Sequence, residues 1–369
     1  MKLKNKKILF VAEYFPPHIM GGAEISAEVK VGQLSKENDI IVLTPNYDNK
    51  KLVIKKIDNY KIIRFPTFRH MLYKNRKKTS QKVRVKNKSL FNNMLLSFYI
   101  ISAFEFKRWI YKINKKYGPF DIIYGNNIES DLGISFSNLK IKKMGCLRDS
   151  IIFDNSPKNN IIIKFIKKKF KKDIDIFVAI TKFIQNKYVK ILNIPQDRFI
   201  IERMNNKVPD YMISTLTKKS ARKKLNLSLN KKYALFVGSL TKEKGINYLV
   251  KNIAPNFPNI TFLILGDGYL FDNLKNIKSN NIILKGNIEK KLIKNYYKAA
   301  DIVLVTSIWE EPMGRIPLEA QANGTYVLVT DKGGLPETIQ SGKGKSLKLE
   351  LFSKEIKKYF KRLEKDGIK

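Results

Sequence analysis

Cysteine is nearly absent from this 369-residue chain, with Cys146 its single representative. One thiol excludes an intrachain disulfide framework and a cysteine-built zinc site, and it fits a reducing compartment such as the cytoplasm. Cys146 itself lies in an apolar run and reads as a small buried hydrophobe. Histidine occurs only at His18 and His70, which leaves little material for a His-based triad or metal site. No stretch reaches the ~18 uncharged apolar residues of a membrane span. The longest, Met94 to Phe104, stops at Glu105. The opening MKLKNKKILFVAEYFPP has the basic start of a signal peptide. Its apolar run, Ile8 to Ala12, is too short for one, and Glu13 and Pro16 follow. The G-x-G-x-x-G dinucleotide fingerprint is also missing, which disfavours a Rossmann dehydrogenase.

Negative charge is scarce as well. Thirty-two acidic residues face 72 Lys and Arg, for a net charge of +40. Such a balance raises nucleic-acid binding. The lysines, however, run through every segment among many Ile and Asn, so the charge argues for an anionic partner without naming it. Hydrophobic residues make up 43% of the chain, enough for substantial cores, and the length suggests about two domains.

Short apolar runs alternate with helical patterns along the whole chain. Strands are expected at Lys7–Ala12, Ile40–Thr44, Lys61–Arg64, Pro119–Tyr124, Met144–Leu147 and Ile176–Ile180. After a polar break around Asn205 to Lys219 they recur at Tyr233–Val237, Thr261–Leu265, Ile282–Leu284, Ile302–Val305 and Tyr326–Val329. Helices are expected at Ala23–Leu34, Ser89–Tyr111, Asn160–Lys172, Lys182–Leu192 and Leu351–Leu363. Repeated βα units in two blocks predict an α/β chain of two Rossmann-like parallel-sheet domains that face each other across a cleft. Their expected limits are 1–205 and 206–350, with 351–369 a closing helix that starts a crossover back to the first domain.

The most informative stretch is Asp301 to Glu337. It reads as a buried strand, a loop, a helix opening near Pro317, and a second strand. Glu311 and Glu319 sit eight positions apart, with Gly314 between them where backbone can approach a ligand closely. A helix start offers free N–H groups and a positive dipole end, which suits a phosphate. A carboxylate on the first helical turn can accept from a hydroxyl pair such as a ribose diol. Gly21 and Gly22 likewise sit just before a helix, in a second phosphate-cradle arrangement.

The run Glu311-Pro-Met-Gly-Arg-Ile-Pro-Leu-Glu319-Ala, followed by Gly333-Gly-Leu-Pro-Glu337, resembles the donor-site signature of glycosyltransferase family 4, the retaining GT-B enzymes. The resemblance implies transfer of a sugar from a nucleotide-diphosphate sugar to an acceptor hydroxyl, with retention and without a metal or other cofactor. It implies donor contacts from Gly21, Gly22, Gly238, Ser239, Lys244, Gly266, Asp267, Gly286, Met313, Gly314, Arg315, Ile316 and Glu319. Glu311, Arg148 and Asp149 fall at the catalytic positions. Glu319 would hold the ribose, Glu311 a donor-sugar hydroxyl, and Lys244 a phosphate. The sequence departs from the family where Ser239 stands in place of the usual Arg; Arg315 is the expected substitute cation. It departs again at Met204-Asn-Asn-Lys-Val-Pro-Asp210, which replaces the family's linker motif.

Two other readings use the same residues less fully. A basic nucleic-acid-binding protein on a Rossmann-like scaffold explains the charge but leaves both Glu311 and Glu319 without a task. A binding-only relative without turnover accommodates Ser239. A last expectation concerns partners: a glycan or lipid-linked acceptor reached at an anionic membrane surface, on the inner face of the cell membrane. Arg69 to Lys88 holds nine cations and no acid, and aromatic-rich and basic helices follow at Ser89–Tyr111 and Asn160–Lys172. The basic tract is the better candidate for that contact, because a core-facing helix cannot also insert.

Overall fold

A computed structural model describes residues 3–19, 21–69, 88–148, 151–154, 160–202, 208–277 and 279–365. The chain divides into two compact units, Met1–Met204 and Asn205–Lys369.

Eight described strands form the sheet of the first unit: β1 (Lys7–Val11), β2 (Asp39–Asn46), β3 (Val53–Ile57), β4 (Tyr60–Pro66), β5 (Ile122–Gly125), β6 (Lys142–Leu147), β7 (Ile176–Ala179) and β8 (Phe199–Ile201). Their order is β3-β4-β2-β1-β5-β6-β7-β8. All neighbours are parallel except β3 and β4. Central strands such as Ile8–Val11 are buried on both faces, which is why they read as continuous apolar runs rather than alternating ones. The strand order reverses between β1 and β5, so their carboxyl ends form a topological switch point.

The second unit repeats this plan. Its six described strands are β9 (Lys232–Val237), β10 (Ile260–Leu265), β11 (Ile282–Gly286), β12 (Ile302–Val305), β13 (Tyr326–Thr330) and β14 (Gly344–Leu347), in the all-parallel order β11-β10-β9-β12-β13-β14. Here the switch point lies between β9 and β12. Successive residues feed opposite faces. Leu235, Val303 and Val327 pack with Tyr296, Tyr297 and Ala320 on one side. Phe236, Leu304 and Leu328 pack with Phe352, Ile356 and Phe360 on the other. Those last three come from the closing helix, Phe352–Lys365, at i, i+4 and i+8. Fully burying a side chain of this size is worth about 1.5–3 kcal/mol. The helix expected to begin a crossover therefore has its apolar face in the core of the second unit.

Three strands were not legible. β3 is a short edge exposed along all but its last residue, β8 has three residues, and β14 (GKSL) lacks an apolar signature. Helix Ile128–Phe136 also escapes the pattern, because all nine of its residues are buried and it has no polar face to reveal a period. Among the described residues no helix is long and apolar enough to cross a membrane.

Candidate functional site

The second unit's switch point brings together the loops that follow β9 and β12. Gly245, at φ +69°, ends the short helical turn Lys242–Lys244. A Cβ at Gly245 would lie 1.8 Å from the Thr306 carbonyl oxygen, so only glycine lets these loops touch. The contact is then closed by hydrogen bonds. Thr306 Oγ1 donates to the Lys244 carbonyl at 2.9 Å, and the Ile308 N–H to the Glu243 carbonyl at 2.8 Å.

This framework aims Lys244 at Glu311. Lys244 Nζ lies 2.7 Å from Glu311 Oε1, and Ser307 Oγ donates to the same oxygen at 2.7 Å. The ammonium also sits 5.6 Å from the centroid of the Trp309 ring. Glu311 is held from behind by the glycine pair: its carbonyl accepts from the Gly334 N–H at 2.6 Å. A Cβ on Gly333 (φ +62°) would strike that carbonyl at 2.2 Å. The Gly333-Gly334 motif thus fixes the backbone of the acidic loop. Ser307 and Trp309 were not singled out from sequence; their position directly after a buried strand was the available signal.

Glu319 stands on the short helix Ile316–Ala322 and is buried. Arg315 Nε donates to its Oε1 at 3.1 Å and Tyr297 OH to its Oε2 at 3.0 Å. Burial raises the Glu319 carboxyl above its ordinary range, with Arg315 and the Tyr297 hydroxyl pulling the other way. Arg315, the expected substitute for a missing cation, is itself buried and directed at Glu319. Its Nε is thus engaged by that carboxylate. Gly314 (φ +87°) precedes them; a Cβ there would reach 2.7 Å from Leu335. Met313 is buried beside it, and Ile316 opens the helix with Pro317.

The remaining second-unit residues line the carboxyl edge of the sheet. Gly238 donates its N–H to the Leu265 carbonyl at 3.0 Å and Gly266 to the Gly286 carbonyl at 2.8 Å. A Cβ on Gly266 would lie 1.8 Å from the Gly238 oxygen. Gly238, Gly266 and Gly286 thus form a side-chain-free ridge across β9, β10 and β11. Asp267 is exposed and caps its own turn through the Gly268 N–H at 2.7 Å. Ser239 is exposed.

In the first unit, Gly21 and Gly22 stand at the start of helix Gly22–Leu34. At this expected phosphate cradle the Gly21 N–H donates to Glu24 Oε2 at 2.8 Å in a capping box. The turn thus carries its own anion. At φ −159° Gly21 occupies ordinary extended backbone. Arg148, at the end of β6, is buried, and its Nε donates to the carbonyl and side-chain oxygens of Asn126 at 2.9 and 3.0 Å. Asp149 lies outside the described residues. The β1/β5 switch point further holds buried Glu13, whose Oε2 accepts from Asn127 Nδ2 at 3.0 Å. Neither Glu13 nor the Asn pair was picked out from sequence. Arg69, one of the nine cations assigned to the basic tract, is buried and 3.1 Å from Glu105, so it is not a surface charge. The rest of that tract, residues 70–87, lies outside the described residues. Among the described residues no three His, Cys, Asp or Glu converge in a way that could hold a metal ion.

Two doubly wound sheets, the second with a glycine-edged carboxyl rim, define the fold class as α/β with the GT-B architecture. Residues 217–369 match the family described as glycosyl transferases group 1. The sucrose-phosphate synthase of Thermosynechococcus elongatus superposes with a TM-score of 0.69 at 17% identity, over 98% of this chain and 90% of its own. Anabaena Alr3699/HepE, solved in complex with UDP-glucose, gives 0.61 at 16% identity, over 98% and 91%. In sequence, the chain is 31% identical over 172 residues to an uncharacterized glycosyltransferase, MJ1607, of Methanocaldococcus jannaschii, which is 44% of either chain. The chain spans less than half the length of this and the next most similar curated relatives.

Proposed function

We propose that the protein is a retaining glycosyltransferase of family 4 that moves a sugar from a nucleotide-diphosphate sugar to an acceptor hydroxyl, in cell-surface glycan or glycolipid assembly. The observation that carries this reading is the Lys244–Glu311–Ser307 cluster at the β9/β12 switch point, inside the region matched by the glycosyl transferases group 1 family. Open α/β sheets bind ligands at that crevice. The UDP-glucose held by Anabaena HepE supports a donor of the same chemical kind.

In this reading the glycine ridge admits the nucleotide close to the sheet edge. Glu319, oriented by Arg315 and Tyr297, accepts from the ribose hydroxyls with the lone pairs its internal partners leave over. The leaving diphosphate gains charge as the glycosidic bond breaks. Lys244, held near the developing charge by Glu311, stabilises it electrostatically without reorganisation during the reaction. Glu311 accepts from a donor-sugar hydroxyl. The carboxylate-pair logic of glycoside hydrolysis does not apply, because the diphosphate is already a good leaving group. Cationic side chains take the role that a divalent ion has in other transferases, so turnover is expected to persist in EDTA. Loss of turnover in EDTA with recovery on magnesium would overturn that part.

The test is a thermal-shift screen of nucleotide sugars, because a ligand that binds the folded chain raises its melting temperature by mass action. One or more donors should shift the transition, and the product formed with that donor should keep the donor's anomeric configuration by NMR. If no nucleotide sugar shifts the transition at millimolar concentration, the reading fails.

A further inference from the structure

Two helices of the first unit carry apolar side chains that point away from the core. On helix Lys88–Tyr117 the exposed residues Ile101, Phe104, Arg108, Tyr111 and Lys115 recur at helical spacing along one outward stripe, opposite buried Ala103, Phe106 and Ile110. Ile101 is 53% exposed and Phe104 55%. Helix Ile161–Asp173 has the same two-faced design. Ile163, Ile166 and Phe170 are buried, whereas Ile161, Phe165, Lys168 and Lys172 lie on the outward line. Ile161 is 82% exposed. The stripes meet through Phe136, whose ring centroid lies 5.1 Å from that of Phe104 and 5.9 Å from that of Phe165. Three phenylalanines thus bridge the two helices into one continuous face.

Charge on this face has one sign. Residues 88–117 contain a single acid, Glu105, and it is paired with buried Arg69. Residues 161–172 contain none, and the Asp173 that follows is paired with Lys169. Arg108, Lys112, Lys115, Lys164, Lys168, Lys171 and Lys172 are all exposed.

We propose that this face docks on an anionic lipid surface, with Ile101, Phe104, Ile161 and Phe165 entering the headgroup–acyl boundary and the surrounding cations meeting the lipid phosphates. Contiguous exposed apolar residues rimmed by cations match the pattern of interfacial helices. Lipid is favoured over nucleic acid because a phosphodiester backbone rewards the cations but gives nothing to an isoleucine as exposed as Ile161. The face uses none of the donor-site residues, so it stands independently of the transfer reaction. Each helix buries one stripe in the core and presents another outward.

The experiment is flotation of the whole protein with vesicles of phosphatidylcholine alone or with 30% phosphatidylglycerol. Binding is expected only to the anionic vesicles. Substituting Arg108, Lys112, Lys168 and Lys172 by Ser should lower the partition coefficient roughly tenfold or more. Phe104→Ser with Phe165→Ser should abolish the fraction that resists 0.5 M salt while leaving the melting transition in place. A Phe165→Trp variant gives a second readout, a blue shift of emission on anionic vesicles. Equal indifference to both vesicle types overturns the proposal. So does vesicle binding that both sets of substitutions leave unchanged, or duplex DNA binding that competes with the vesicles and ignores the phenylalanine changes.

Discussion

Lys244 and Glu311, 67 positions apart, meet as a 2.7 Å ion pair across the switch point between β9 and β12. Neither charge is fully in water: Glu311 is buried, and 30% of the Lys244 side chain is exposed. Removing one partner leaves the other partly desolvated and unpaired. Lys244→Ala is therefore expected to cost about 1–3 kcal/mol of stability, and a comparable loss of interaction with the donor diphosphate would weaken donor affinity roughly ten- to a hundred-fold. Glu311→Gln keeps the shape and the Ser307 contact, so it should lower turnover more than stability. Parallel melting curves and donor titrations check both. Unchanged donor affinity in Lys244→Ala would remove Lys244 from the site.

The glycines that allow this pairing give a second prediction. Gly245→Ala would place a methyl group against the Thr306 carbonyl, and Gly333→Ala would do the same at the Glu311 carbonyl, both at positive φ. A strained residue of this kind costs about 1–3 kcal/mol, and the clash should push the loops apart. Both variants are expected to melt earlier and to lose donor-dependent thermal shifts. Gly342→Ala is the control: it also has positive φ (+75°) but meets no atom within 4 Å. It should melt slightly earlier and keep its donor response.

Much of this was legible in the chain. Ile302–Val305 and Tyr326–Val329 read as buried strands because both faces of a parallel sheet are covered, and the Glu311–Glu319 loop lay between them. The paired glycines at 333–334 stood in the sequence only as part of a motif, and the structure supplies their contact, the Glu311 backbone. What stayed hidden was mostly partnership. Spacing along a chain does not say that Lys244 faces Glu311, that Arg315 turns inward to Glu319, or that Glu24 occupies the turn at Gly21. Those choices are made by tertiary packing and by which groups become desolvated. Helix Ile128–Phe136 was missed for the same reason, since an element buried all round has no amphipathic period.

Glu319 combines burial with two internal donors, and its ionisation should therefore be visible in the ligand response. Its folded carboxyl is raised by burial, so the charged form proposed to accept from the ribose diol is complete only at higher pH. Donor affinity is expected to fall as pH drops and this carboxyl takes up its proton, at a higher pH than an ordinary Glu would. Tyr297→Phe removes one hydrogen bond to the charged form and should move that fall to higher pH. Glu319→Ala should abolish both the binding and its pH dependence. A donor affinity in Glu319→Ala that matches the parent chain refutes the ribose assignment.

Asp131 offers a test of electrostatics in the first unit that needs no ligand. It lies in the first turn of helix Ile128–Phe136, beneath β5 and β6, where a Cβ on Gly125 would come 1.8 Å from its Oδ1 and one on Gly145 3.1 Å from its Oδ2. Burial drives its carboxyl well above the ordinary value, against the opposing pull of the Cys146 backbone N–H and Arg148. A group whose folded value is raised favours the folded chain while it keeps its proton. The unfolded chain releases that proton from about pH 4 upward. The contribution is therefore complete below that point and is lost as pH rises toward the folded value. Asp131→Asn replaces the carboxyl with a neutral group of nearly the same shape and removes this loss. The variant should melt with the parent chain near pH 4 and progressively above it toward neutral pH. Because Glu319 contributes a slope of the same sign to both proteins, the difference between the two melting profiles isolates Asp131. Profiles that stay parallel across this range would show that the Asp131 carboxyl is ionised in the folded chain.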